Sequence, residues 1–371
     1  LTAGAKRLAR NAAGAVAVPA LAITTALIIG AIIVWRSGEN PLVAYSSLLA
    51  GAFGSRSGVG ESIVYMTPLV LTGLSVAVAF RCGLFNIGAE GQYIVGMIAA
   101  AWAGYAFTGL PAFLHVPVTL LAGAAAGAVW AAIPGVLKAK LGVHEVINTI
   151  MMNHIAIYFT HYLVMGPLLA PPGYSPMTRP IADTAKLQRV FGMGRLHAGI
   201  IVAILAAAAV YYLLWKTTTG YQIRAVGLNQ EAAKYGGIDP TKNMVIAMSI
   251  SGALAGMAGA VQIQGLQYRF LDLFGFPGHG FDGIAVALLG QNHPVGIILS
   301  ALLFGSLASG SMQMQSVAGI PKDLVGIIQA IIIFFVAADQ IIRRAIRLRL
   351  RGKGAATALK GGTVSGSGDA V

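Results

Sequence analysis

Charge is what this chain has least of. Only 10% of its 371 residues are Asp, Glu, Lys or Arg, where a soluble domain carries about a quarter. With 57% hydrophobic residues and a mean hydropathy of +0.76, the composition excludes an ordinary soluble domain and predicts an integral membrane protein. Cysteine is nearly absent as well. Cys82 is alone, which excludes an internal disulfide framework and any multi-cysteine metal site. The sequence has no GxxxxGKS/T loop, so it does not bind ATP by that route, and it has no HExxH or GxSxG motif. It also lacks an Arg-rich voltage-sensor helix and a TVGYG filter. Nothing here suggests a catalytic or energising apparatus of the chain's own.

What the chain does have is glycine and long apolar runs. Its 48 glycines suit helices packed closely in lipid, where small residues let backbones approach. The net charge of +13 raises the question of a nucleic-acid partner, but location argues against one. The basic residues stand at the ends of apolar runs and in the C-terminal tail, where they orient membrane helices. Lys6, Arg7 and Arg10 precede an apolar run from Ala12 to about Trp35. That run is too long for a signal-peptide core and suits an uncleaved first helix.

Hydropathy predicts helices over Val16–Trp35, Ser62–Phe80, from the 81–92 stretch to Phe107, Val118–Leu137, Val146–Val164, Ala198–Trp215, Met244–Gln264 and Leu324–Ile342. Between the last two the pattern is broken. Phe281–Leu289 is too short to span, GQNHPVG interrupts it, and Gly296–Met312 resumes. Such discontinuous helices are tolerated only when buried in protein or lining a cavity. The expected fold is therefore an all-α polytopic bundle of about ten crossings, with broken or re-entrant helices. Residues 1–15 form a cytoplasmic N-terminal segment, 16–342 the membrane domain and 343–371 a basic tail of disordered composition. With both termini in the cytoplasm, the inner side holds about twice as many Lys and Arg as the outer. Gly166–His197 is then external and residues 216–243 are cytoplasmic.

Three polar stretches stand out. The first, RCGLFNIGAEGQ (Arg81–Gln92), lies between two apolar runs. Two accounts fit it. Either Arg81 ends one helix at the interface and Glu90 sits favourably in the first turn of the next, or the glycines break the helix inside the membrane and the polar groups line a solute path. The second, HEVINTIMMNHIAIYFTH, puts His144 and Asn148 on one face and His154 and Tyr158 on one face. These groups suit interhelical hydrogen bonds or a solute-lining face. A metal site is the weakest account, because no carboxylate or cysteine completes a ligand set. In the third, Asn229 is placed to cap a short helix ending at Gly236-Gly237, with Glu231 in its first turn. A fainter echo, Phe85-Asn86-Ile87-Gly88 against Phe281-Asp282-Gly283-Ile284, would suit duplicated transporter halves or coincidence.

GLFNIGAEGQ (Gly83–Gln92) and IRAVGLNQEAAKYGGI (Ile223–Ile238) together resemble the permease subunits of bacterial ABC importers in the branched-chain amino acid, ribose and nucleoside group. The form LFNIGAEGQ is most similar to the nucleoside or simple-sugar type. The resemblance covers about Pro41 to Ile342. It implies a multi-pass permease of the bacterial cell membrane that works with a second permease chain, usually a paralogue. A cytoplasmic ABC ATPase would bind the ATP, and an external lipoprotein would deliver the solute. The chain would need no cofactor of its own. The resemblance places a coupling helix in 216–243, where Glu231, Ala232, Ala233 and Gly237 match the EAA-x3-G signature and Arg224 and Asn229 accompany it. The I-x-L-P ending of the better-known version is missing. The resemblance also favours the pathway account of Asn86, Glu90 and Gln92. Asn148, Asn153 and His154 follow from spacing and polarity alone. The alternative is an ion-coupled secondary transporter using Glu90 and Asp282.

Overall fold

A computed structural model describes residues 21–335. The expected N-terminal segment 1–15 and tail 343–371 lie outside these, as do the outer ends of the first and last predicted helices. The described residues form thirteen α-helices in chain order: α1 (Leu21–Arg36), α2 (Pro41–Phe53), α3 (Arg56–Arg81), α4 (Ala89–Ala106), α5 (Ala112–Leu141), α6 (Glu145–Met165), α7 (Gly199–Lys216), α8 (Thr218–Leu228), α9 (Gln230–Tyr235), α10 (Pro240–Gln262), α11 (His279–Leu289), α12 (Pro294–Ala318) and α13 (Asp323–Phe335). Five of them (α3, α5, α7, α10 with its π-helical end, and α12) are long and apolar enough to cross a membrane. α4 and α6, with 18 and 21 residues, reach about 27 and 31 Å but carry the polar stretches. The chain is thus a polytopic helical membrane protein.

Local chemistry sets the helix ends. Asn40, Ser55 and Asp239 cap α2, α3 and α10 by accepting backbone N–H bonds, and Pro41 and Pro240 fill first-turn positions whose N–H would be unpaired. α2 is an element that hydropathy did not predict, because its 13 residues are too few to span. α3 begins six residues earlier than predicted, since Arg56–Glu61 is polar yet helical. α8 lay unnoticed within a polar segment, and α10 begins four residues before its apolar run.

Two units divide the chain, Val34–Val325 and the flanking remainder. In the remainder, Ala22 and Ala26 of α1 and Ile328 and Ile332 of α13 are buried, while Leu21, Ile28, Ile32 and Phe334 are exposed. In Val34–Val325, α3 is buried along most of its length, and α5 and α7 show much of their surface outward. α10 packs on α5 and α4 through glycine. A Cβ on Gly127 would strike the Gly252 carbonyl and lie 2.8 Å from the Gly256 Cα, and one on Gly256 would strike the Gly123 carbonyl. The neighbouring atoms are backbone and cannot swing away.

The segment between α6 and α7 is ordered across one end of this unit. Ala182 N–H donates to Gly104 O, Ile181 N–H to Tyr268 O and Leu187 N–H to Gln264 O, while Arg195 grips both oxygens of Glu61 at 2.9 and 2.7 Å. α8 and α9 lie at the opposite end, beside the start of α10 and the end of α3.

The glycine seam yields a test. Gly256→Leu should overpack it and destabilise the protein by about 1–3 kcal/mol, seen as a lower midpoint of thermal unfolding in detergent. Gly142→Asn, at an open left-handed C-cap (φ 70°, nothing within 4 Å), should change the midpoint little.

Candidate pathway and coupling sites

The link between α3 and α4 turns back into the bundle. Gly83 (φ 77°) makes the turn, and Asn86 Oδ1 accepts from Gly88 N at 3.0 Å to start α4. Asn86 Nδ2 donates to Gln92 Oε1 at 2.9 Å and to Ser251 Oγ at 2.8 Å, and Ser251 Oγ donates to Ser75 O at 2.7 Å. Asn153 Oδ1 accepts from Gly91 N at 2.8 Å, and its Nδ2 donates to Ile87 O at 3.0 Å. The partners measure the depth. At 1.5 Å per residue, Ser75 lies about 9 Å from the end of α3, Asn153 about 12 Å from the start of α6 and Ser251 about 16 Å from the start of α10. α4 therefore begins well inside the bundle. Asn86, Gln92 and Asn153 are each 1% exposed, so their polar groups are satisfied by protein.

Glu90 joins this break to a second one. Its Oε1 accepts from Gly278 N at 2.6 Å and its Oε2 from Gly280 N at 2.5 Å and Phe281 N at 3.3 Å. These are the unpaired N–H groups at the start of α11, where a carboxylate is best placed. Gly280 lets the two helix starts meet, since a Cβ there would collide with the Glu90 N. The two echoed stretches, 85–88 and 281–284, thus stand at neighbouring helix starts.

The structure separates the remaining pathway candidates from this cluster. His154 is on the exposed side of α6, with its ring 5.2 Å from that of Phe276. Asn148 is half-buried, and its Nδ2 has no hydrogen-bond partner. Phe276, Phe281 and Asp272 were missed as site residues. The signal was the Gly-, Pro- and Phe-rich run LFGFPGHG, which holds Phe276, is flanked by Asp272 and Phe281, and suits neither helix nor strand. Among the described residues no group of three His, Cys, Asp or Glu could hold a metal ion.

At the other end, α9 has the predicted caps. Asn229 Oδ1 accepts from Ala232 N at 3.0 Å, and Gly236 and Gly237 (φ 79°) close the helix. Ala233 is buried, whereas Glu231 and Ala232 are exposed, as are Leu228 and Tyr235 at 89% and 95%. Arg224 on α8 is half-buried, with its Nε unpaired. α8 presses on the turn after α3. A Cβ on Gly227 would strike the Arg81 carbonyl, and the Gly227 Cα is 3.3 Å from a Cβ built on Gly83. Arg81 donates to the carbonyls of Gln291 and Asn292 at 3.0–3.3 Å, with its guanidinium 5.2 Å from the Trp215 ring centre. One stretch, 81–92, therefore touches α8, both ends of α11 and the start of α4.

Replacing Glu90 tests the clamp. Glu90→Gln puts a donor against backbone donors, and destabilisation of about 1–3 kcal/mol is expected, read as a lower unfolding midpoint in detergent. An unchanged midpoint would show that α11 holds without it.

Comparison with known proteins gives the family. The family described as branched-chain amino acid transport system / permease component matches residues 58–337. The guanosine ABC transporter permease protein NupP of Bacillus subtilis is 47% identical over 91% of this chain and 97% of its own length. The nucleoside ABC transporter permease protein NupB of Lactococcus lactis is 38% identical over 88% of this chain and 92% of its own. The glucose ABC transporter permease protein TsgB13 of Haloferax volcanii is 34% identical over 88% of each chain. No solved structure matches. A chain with polar breaks deep in a helical bundle, and with this match, belongs to the branched-chain amino acid transport system permease family and is a transport component rather than an enzyme.

Proposed function

We propose that the chain is the membrane permease subunit of an ATP-driven importer for nucleosides or related simple sugars. The names of its relatives support that cargo class. The observation that carries the division of labour is α9. It is a capped helix that ends on Tyr235, with Leu228 just before its cap, both almost fully exposed, and large apolar groups left open together suit a docking surface. In this proposal the α8–α9 end faces the cytoplasm, in keeping with the excess of basic residues on that side. A separate ABC ATPase binds the ATP and receives α9. The residues around the helix are Arg224, Asn229, Glu231, Ala232, Ala233 and Gly237. A second permease chain completes the pathway, and an external lipoprotein delivers the solute to the end covered by 166–197. The protein sits in the bacterial cell membrane with lipid around α5 and α7, needs no cofactor of its own, and binds no nucleic acid.

The pathway lies at the paired breaks. Asn86, Glu90, Gln92 and Asn153 are spent on holding the helix starts, so they shape the pathway wall rather than offer free groups to the solute. His154 and the residues near it present the open face. The same geometry weakens ion coupling through Glu90, whose two oxygens are occupied by backbone N–H groups. Movement at the α8–α9 end reaches α11 through Gly227, which packs backbone to backbone on the Arg81 turn, and through the Arg81 guanidinium, which holds the Gln291 and Asn292 carbonyls.

Two outcomes follow. Uptake in proteoliposomes holding the full complex should require both ATP and the added binding protein, and a hydrolysis-dead ATPase should abolish it. Uptake driven by an ion gradient alone would overturn the assignment. Separately, Tyr235→Asp with Leu228→Asp should cut ATPase recovered by co-purification about tenfold while leaving the unfolding midpoint of the isolated permease unchanged. Full recovery would place the docking surface elsewhere.

A further inference from the structure

Directly after α10 the chain turns back without forming a helix. After the left-handed Tyr268 (φ 58°), Phe270 pairs with Thr178, and residues 271–278 run without helix to the start of α11. Their path is fixed by α6. His161 Nδ1 is 2.8 Å from Asp272 Oδ2, and His154 meets Phe276 two turns further along α6. Gly278 then reaches Glu90. His154 stands about 14 Å from one end of α6 and about 17 Å from the other. So an irregular backbone descends to the middle of the bundle. It is exposed as it does so: Leu271 is 48% and Phe274 98% exposed, and Gly275 and Pro277 are open. Irregular backbone at this depth cannot face lipid, because its N–H and C=O groups would have no partners there. It must face water or protein, and an exposed stretch of this kind is suited to line a water-filled cavity.

The wall is aromatic at its deepest point. His154, Phe276 and Phe281 form a chain of edge-on contacts, 5.2 and 5.6 Å between ring centres at 73° and 84°. Each edge-on contact covers one face of only one of its two rings, and Phe281 remains 37% exposed. Asp282 follows in the first turn of α11, and a carboxylate acceptor is suited to hydroxyl groups. We propose that His154, Phe276 and Phe281 are contact residues for the solute, and that they stack on a planar aromatic base while Asp282 accepts from sugar hydroxyls. The solute is then a nucleoside rather than a simple sugar. Stacking is sequence-tolerant, because every base has a π-face. A pathway needs that kind of contact, since it must release what it binds. A hexose or pentose alone would use Asp282 and could meet the rings only through its C–H faces, without a planar π-surface to stack. This proposal rests on the importer assignment but can fail without it.

The test uses proteoliposomes of the full complex with ATP inside and binding protein outside, supplied with labelled nucleosides and ribose. The wild-type protein should carry at least one nucleoside. If ATP-dependent uptake is confined to ribose or other sugars, this proposal falls and the importer assignment stands; if uptake ignores ATP, the importer assignment itself falls. Phe276→Leu and Phe281→Leu, compared at equal amounts of assembled complex, should lower nucleoside uptake about tenfold, and Phe276→Tyr should retain most of it. Equal behaviour of the Leu and Tyr variants would overturn the stacking role. Photolabelling of the wild-type complex during turnover with 8-azidoadenosine keeps the proposal testable should the variants fail to assemble. Adducts on the peptide covering 271–281 or on His154 are expected, and adducts confined to other regions of the permease would contradict it.

Discussion

Backbone polar groups inside a membrane need partners, and the organisation of this protein follows from how two broken helices meet that need. α4 and α11 both start within the bundle. The N–H groups at the start of α11 go to the Glu90 carboxylate. The irregular backbone just before and within the first turn of α4 is served by Asn153, which takes the Gly91 N–H and donates to the Ile87 carbonyl. At the far end of α11, the Gln291 and Asn292 carbonyls go to Arg81. Without these side chains the breaks would leave unpaired groups, each costing about 1–3 kcal/mol.

The arrangement accounts for why a chain so poor in charge keeps so many polar groups in one short stretch. Residues 81–92 hold both breaks, and they also receive α8 at Gly227. The α8–α9 end and the paired helix breaks are thereby joined by one continuous piece of backbone. Glycine seams between α5 and α10 give that piece a stiff surrounding, since their contacts are backbone on backbone. What is left open is the stretch 271–278, held at Asp272 by His161 and at Gly278 by Glu90 and exposed between them.

Much of this was legible in the sequence, for physical reasons. Long apolar runs must become helices, and the caps of α9 could be read residue by residue because Asn229, Glu231 and Gly236-Gly237 act locally. The depth of Glu90 could not be read, since two accounts of it differed only in what lay opposite. The answer was backbone N–H groups about 190 residues away, which carry no side-chain signal. α2 and α8 escaped notice because a short, partly polar helix is stabilised by packing rather than by its own pattern. Phe276 was missed for a different reason. A phenylalanine in an apolar chain looks like core until the structure shows the backbone around it to be irregular and open.

The most direct test asks what the 271–281 wall faces. Cys82 is buried, so single cysteines at positions 274, 276 and 281 can be probed against a quiet background, with one at position 205 on the exposed face of α7 as the lipid-facing control. The account predicts that a charged, membrane-impermeant thiol reagent modifies 274 and 276, and slows uptake when it does, while leaving 205 untouched. If 274 and 276 react only with a lipid-soluble reagent, as 205 should, the wall faces the bilayer and the central claim is wrong.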